Sequence, residues 1–333
     1  MKIFGIITLF IGAISYAKTE YSVENISLSN KQRSFSNQRS IIRYQKTREI
    51  NDSFEFDILG NLIYSTINSN DDLGVEQAAP FAVELLRFRF VKSFNEYFQA
   101  SVGFDHAAAN SLSTIQTTGP GVGMRVGSQS SHLSTNFLTL PSQQRYFLAK
   151  RSDNIANLWS SSFKQALWIN GVSLYLNYSY FHNLGPETSF AARFRGNSVV
   201  GVQQITDFEY DFSLAGAKLE YSFEYYGYEM LSFVEYSNNL GAFTGESELY
   251  HLGLNITDRK NTFALELLEV QSNSMISIFT PEILYETNKR GLVFRYNRRI
   301  DTALLTNVNV GQFEDILTGE DQSSVQLGLS YEI

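Results

Sequence analysis

From Ser324 to its last residue the chain alternates without a break. Val325, Leu327, Leu329, Tyr331 and Ile333 fall on one face, and Ser324, Gln326, Gly328, Ser330 and Glu332 on the other. Strict period-two patterning describes a strand with one apolar face and one wet face. A strand that ends a soluble domain in this way presents an open edge that must be paired or covered. In a closed barrel the last strand pairs with the first and the edge disappears.

The same stretch resembles the C-terminal signal of bacterial outer-membrane β-barrels. That signal has a polar residue, a glycine two positions on, and aromatic or hydrophobic residues at the third-last and last positions. Gln326, Gly328, Tyr331 and Ile333 occupy those places, with Ile333 where Phe is usual. The resemblance implies an assembly signal read by the barrel-assembly machinery through the last strand, with outer-membrane lipid around the folded barrel.

The other end of the chain agrees. Lys2, a largely apolar run from Ile3 to Ile14 and the close Ser15-Tyr16-Ala17 predict a cleavable signal peptide over residues 1–17. That run is too short to span a membrane as a helix, which needs about 20 apolar residues. There is no cysteine, so neither a disulfide framework nor a lipidated Cys anchor is available. Aromatic residues make up 14% of the chain and charged residues only 18%, yet no long apolar run follows the leader. Hydrophobicity dispersed into alternate positions is the signature of a transmembrane barrel. A net charge of −8 argues against nucleic acid as a partner.

Residues 18–52 are polar and locally basic, and are expected to form a periplasmic tail or a segment in the barrel mouth. The barrel is expected over 53–333, as an all-β, closed antiparallel transmembrane structure of about fourteen strands. Strands are expected at 53–66, 82–92, 97–107, 157–169, 172–180, 189–203, 207–214, 217–226, 229–238, 247–257, 262–272, 275–286, 292–300 and the C-terminus. Asn170-Gly171 is the strongest hairpin signal, because both turn positions need positive φ. Counted back from Ile333, the short connections fall at one end and most long ones at the other, as outer-membrane barrels require. The stretch 108–156 is left as a long loop with two readings. Val122, Met124, Val126, Leu133, Thr135 and Phe137 form a further hairpin, making sixteen strands, or the stretch folds inward across the pore.

With apolar stripes facing lipid, the alternate positions line the lumen. Arg87, Arg89, Arg295 and Arg299 are expected to build a basic wall, faced by Glu209, Asp211, Glu220 and Glu224, with Glu266 on the acidic side. Opposed charge across a wet constriction orients dipolar solutes. The competing reading is that these charges pair with neighbours and only solvate the interior, as expected of Arg193 and Arg195. A second resemblance, over about a fifth of the chain, is to phosphate-selective-type porins. It rests on Arg87 and Arg89, on Met124-Arg125-Val126-Gly127-Ser128-Gln129, and on Arg145-Tyr146-Phe147-Leu148-Ala149-Lys150-Arg151-Ser152. It implies that Arg145, Lys150 and Arg151 belong to a loop that narrows the pore.

The function these features point to is a porin, passing small hydrophilic solutes or ions by diffusion, without a cofactor or metal. Two other classes compete. A barrel hydrolase acting on lipid would need a Ser–His pair within about 3 Å. The four histidines are His106, His132, His182 and His251. Adjacent Asp105 and His106 point to opposite faces of a strand, so they cannot pair directly. A sealed adhesin or structural barrel would have large outer loops and a lumen closed by paired charges. Whether three copies associate as a homotrimer is left open.

Overall fold

A computed structural model describes residues 18–332 except 31–33, 52, 70–80, 107–116, 141–154, 194, 203–204 and 278–286. The expected leader, residues 1–17, and the final Ile333 lie outside the described residues. Sixteen antiparallel strands close into one barrel. The first nine are β1 (Lys18–Asn30), β2 (Ser34–Asn51), β3 (Phe54–Ser69), β4 (Phe81–Asn95), β5 (Phe98–His106), β6 (Thr118–Gly127), β7 (Ser131–Thr139), β8 (Asn157–Ala166) and β9 (Val172–His182). A helix, α1 (Pro186–Arg193), and a separate two-stranded sheet, β10 (Val199–Val202) with β11 (Ile205–Phe208), interrupt the ring. The ring then resumes with β12 (Ser213–Tyr225), β13 (Tyr228–Asn239), β14 (Glu248–Thr257), β15 (Asn261–Val270), β16 (Lys289–Arg299), β17 (Leu304–Asp315) and β18 (Asp321–Glu332).

Closure runs through the C-terminal strand, as its alternation requires. β18 pairs with β1, placing Tyr331 opposite Tyr21 and Leu329 opposite Val23. Burial is inside-out along the wall. Leu252, Leu267 and Leu327 keep 48–49% of their surface exposed, while Ser160, Ser179 and Ser324 keep none. Such an outer surface is the apolar band of an outer-membrane barrel, and closure satisfies its backbone groups internally.

Connections at one end are short: 52–53, 96–97, 128–130, 167–171, 226–227, 258–260 and 300–303. At the other end they include 70–80, 107–117, 140–156, 183–212 and 271–288. The short end is the periplasmic one by the rule for such barrels. The 226–227 turn has φ of 51° at Tyr226 and 78° at Gly227. Positive φ at both central residues gives the hairpin geometry that follows the sheet's right-handed twist. Asp258 and Asp301 cap two other short turns. Asp258 Oδ1 accepts the backbone N–H groups of Lys260 and Asn261, and Asp301 Oδ1 those of Ala303 and Leu304. These bonds hold both carboxyls below the usual carboxylate range, with the Asn261 side chain the largest contributor at Asp258.

Sixteen is the larger of the two expected counts, but it is reached differently. Residues 18–51 are not a tail: they are β1 and β2, the two strands beside the seam. Their lumenal positions carry charge paired across strands, with Arg39 3.2 Å from Glu24 and Arg43 3.8 Å from Glu20. That polarity hides the outward stripe. Between the expected strand 292–300 and the C-terminal one the ring has a further strand, β17, whose Asn307 and Asn309 face inward on a sequence that reads as polar. Within 108–156 the hairpin reading holds, as β6 and β7.

Three expected strands are absent from the ring. Residues 189–203 and 207–214 give way mainly to α1 and the β10–β11 hairpin. Pro186 at the first helical position, Glu187 in the first turn and Arg193 in the last suit a helix. Phe190, Ala191 and Ala192 are consecutive buried helix positions. The described part of 275–286, Met275–Ser277, is buried beside that helix rather than extended in the sheet.

Candidate functional site

The lumen has two differently built sides. On β1–β4 the inward positions form a ladder of charge. Asp57, with only 4% of its side chain exposed, lies 2.9 Å from Arg87 and 3.6 Å from Arg89, and accepts the Thr47 hydroxyl at 3.3 Å. Arg43 Nε donates to Asn61 Oδ1 at 3.2 Å. In this group four guanidiniums (Arg39, Arg43, Arg87, Arg89) face three carboxylates (Glu20, Glu24, Asp57). Alternation places all of them on one face, and antiparallel register brings opposite signs level, as with Asp57 opposite Arg89.

On β12–β16 the inward charges are packed more deeply. Lys218 Nζ lies 2.7 Å from Glu220 and 4.6 Å above the Phe233 ring. His251 Nε2 is 3.0 Å from Glu266, and its Nδ1 is 3.8 Å from Glu235. Arg295 closes the row with a hydrogen bond to the other oxygen of Glu266. Phe233 fits because its neighbour is glycine: a Cβ on Gly253 would meet the ring at 2.3 Å. Three carboxylates (Glu220, Glu235, Glu266) here face two permanent cations, Lys218 and Arg295. β3 and β13 stand eight strands apart in the sixteen-strand ring, so the two charged groups lie across the lumen from each other.

Above the second group, towards the long connections, the lumen is filled. Leu138, Leu158, Phe181, Leu214, Leu249, Val270, Val293 and Phe313 project inward from β7, β8, β9, β12 and β14–β17. They share one buried apolar cluster with Ala191 and Ala192 of α1 and with Met275 and Ile276. A helix whose neighbours are the inner faces of so many strands lies inside the barrel. Parts of connections 183–212 and 271–288 are therefore a plug, held by buried asparagines. Asn197 Nδ2 donates to the Ser272 and Met275 carbonyls at 2.6 and 2.7 Å, and its Oδ1 accepts Ser277 N–H at 2.8 Å. Asn273 Oδ1 accepts Ser198 N–H at 3.0 Å, and Asn239 Nδ2 donates to the Asn273 carbonyl at 2.9 Å. Backbone removed from water without strand partners needs such side-chain substitutes.

The sequence-derived residues redistribute accordingly. Arg87 and Arg89 line one side. Arg295 joins the acidic group instead, because β4 and β16 are six strands apart in the ring and build no common wall. Arg299 is exposed at the short-turn end of β16. Glu220 and Glu224 are on the inward face of β12. Glu209 and Asp211 are not on a barrel strand: they lie exposed between β11 and β12 beside connection 240–247, where Tyr210 packs on Phe243 with ring centroids 5.4 Å apart. Burial and the nearby Glu209 and Glu246 push the Tyr210 hydroxyl up. Arg193 ends α1 and Arg195 is buried in the plug, off the strand expected for them. Arg145, Lys150 and Arg151 lie outside the described residues.

At the seam, Gln326, Gly328 and Tyr331 are all on β18. A Cβ on Gly328 would fall 2.3 Å from the Asn307 side chain that crosses it, so glycine admits that side chain. Arg125, from the phosphate-porin-like segment, ends β6 with Nη2 3.3 Å from His132 Nδ1. Sequence reasoning missed the charges of β1 and β2, Asp57, Lys218, Glu235 and the three asparagines. Period-two spacing of Glu20 with Glu24 and Arg39 with Arg43 was a usable signal, but lone asparagines carry none.

No family model and no curated protein sequence matches the chain. Solved structures do. A multiply substituted variant of Rhodopseudomonas blastica porin superposes with a TM-score of 0.52 at 10% identity, over 95% of this chain and all of the other. A triple mutant of the same porin gives 0.51 at 10% identity, with the same coverage. A low-pH structure of Pseudomonas putida OprB gives 0.56 at 8% identity, over 99% of this chain and 96% of that one. The chain has the fold of the bacterial outer-membrane porins. Within that porin fold, the inward-folded plug and the two charged sides are where the lumen takes its character.

Proposed function

We propose that this porin-fold chain is an outer-membrane channel that lets small hydrophilic solutes or ions diffuse through its lumen. The observation that carries it is the inversion of polarity across one closed wall, apolar outside and, where the plug does not cover it, charged or hydroxylated inside. Such an interior replaces part of a solute's hydration and needs no cofactor. Residues 1–17 act as the export leader, removed before assembly in a Gram-negative envelope, and the C-terminal sequence signal of Gln326, Gly328, Tyr331 and Ile333 is what the assembly machinery reads.

Passage occurs between the guanidinium-rich side and the plug-bearing side. Arg87 and Arg89 face one flank of that path, and Glu220 and Glu224 the other. Each side's charges are largely paired within the side, so the transverse field is modest and discrimination by charge is weak. Purified protein in a planar bilayer tests the reading. Stepwise, voltage-driven ion currents are expected, whereas a silent bilayer with demonstrably inserted protein overturns it.

A further inference from the structure

Two carboxylates, Glu235 and Glu266, are 1% and 4% exposed on neighbouring positions of the inward face, with His251 (5%) between them. Glu266 has Arg295 as a permanent partner. Glu235 has none: among the described residues the one cationic group within 4 Å is His251, at 3.8 Å. Neither Glu235 oxygen has a hydrogen-bond partner among the described residues. A carboxylate this buried is costly to leave without a counter-ion. Protonated, His251 neutralises part of the pair.

Lys218 is directly opposite Glu235 in the β12–β13 register, but its ammonium is turned to Glu220 and lies over Phe233. Glu220 is more open to the lumen, with 19% of its side chain exposed against none for Glu235. The carboxylates within 4 Å of His251 among the described residues are Glu235 on β13 and Glu266 on β15. Arg295 on β16 stands behind Glu266, and Lys218 and Glu220 on β12 lie beyond Glu235.

We propose that His251 is a proton-operated selector of the channel's ion preference, acting through Lys218; this deepens the channel reading and rests on it. While His251 holds its second proton, Glu235 is compensated, and Lys218 stays on Glu220, masking that charge from the lumen. When His251 releases the proton to lumenal water, Glu235 becomes the stronger attractor. Lys218 then rotates across the β12–β13 pair to it, leaving Glu220 with the Tyr175 hydroxyl but no cation, beside an uncovered Phe233. The wall gains one exposed negative charge, and passing cations are favoured. A long, flexible lysine with a compact ammonium suits such a transfer better than a planar guanidinium.

The test is reversal potential across a KCl gradient, measured in planar bilayers between about pH 5 and about pH 9, the span in which histidine commonly titrates. In the unmodified protein the cation-to-anion permeability ratio is expected to rise roughly twofold in one step as pH increases. His251→Gln, which keeps a hydrogen bond to Glu266, is expected to lose the step. Lys218→Met is expected to sit at the cation-preferring level throughout. Glu220→Gln is expected to abolish the step while His251 still titrates. A conducting channel whose ratio is flat with pH, or whose step survives in Lys218→Met or Glu220→Gln, overturns the selector but leaves the channel standing. Absence of conductance overturns both.

Discussion

The two sides of the lumen are built by the same rule and reach opposite interiors. On β1–β4 every second side chain points inward, many of them are charged, and those charges meet across strands at salt-bridge distance while keeping water contact. Arg87 and Arg89 retain 25% and 30% of their side-chain exposure. On β7–β9, β12 and β14–β17 the inward positions nearer the long connections include apolar residues covered by the plug. Period two fixes only which way a side chain points. What fills the space in front of it decides whether that position is wet. The lesson is that a lumenal position is polar where solvent reaches it and apolar where the chain folds back over it.

The largest expected effect removes the difference between the sides. Asn197→Ala deletes three buried hydrogen bonds to the second plug connection, a loss of about 3 kcal/mol. Conductance is expected to rise several-fold, and plug residues to become protease-sensitive in folded protein. Unchanged conductance and protection would show that apolar packing alone seats the plug. Next in size, Asp57→Ala leaves two guanidiniums facing each other without their shared carboxylate. Discounted for their partial exposure, the cost is roughly 2 kcal/mol. Thermal unfolding in detergent should move down, with ion preference shifting towards anions.

On the opposite side, Gly253→Ala pushes the Phe233 ring from the space it occupies, at about 1 to 2 kcal/mol. The Lys218 ammonium over that ring is expected to lose its seat, so a drop in melting temperature should come with a small cation shift. Arg87→Gln combined with Arg89→Gln sharpens the contrast, with a fall in thermal stability because the buried Asp57 carboxylate loses both guanidiniums. Reversal potentials are expected to move towards cation preference by roughly twofold. No movement would show that those charges are cancelled locally.

The smallest effect lies outside both walls, at the Asp258 turn. Its carboxyl is held below the ordinary range, so its capping contributes fully above the unfolded value and is lost as pH falls through the depressed folded one. Faster hydrogen exchange at Lys260 and Asn261 in that acidic window is the expected sign. Exchange that ignores acidification would remove Asp258 as the cap.

Much of the barrel was legible from residue order. Eleven of the fourteen expected strands match ring strands, from 53–66 as β3 to the C-terminus as β18. They share a dense outward stripe, such as Tyr250, Leu252 and Leu254 on β14. The misses share the opposite property. β1, β2 and β17 carry charges or asparagines inward and a thin stripe outward, so a search for greasy alternation passes over them. The segment around Phe190 failed differently, because apolar residues in a short run suit a buried helix as well as a strand. The site was less legible than the fold. Arg87, Arg89, Glu220 and Glu224 face inward on their strands, but Arg295 stands with the acidic group, and His251 was weighed only as one of four histidines for a hydrolase.

Residue order by itself determined the two-faced strands, their tight turns and the closing role of the C-terminal segment. Those follow from local geometry, in which neighbouring side chains point to opposite faces and a few turn residues accept positive φ. Tertiary structure alone decided which connections enter the lumen, which charges become partners and how many strands separate Arg87 from Arg295. These depend on ring closure and on contacts between residues as distant as Asn197 and Ser277. No periodicity records a contact whose partners meet only after the barrel has closed.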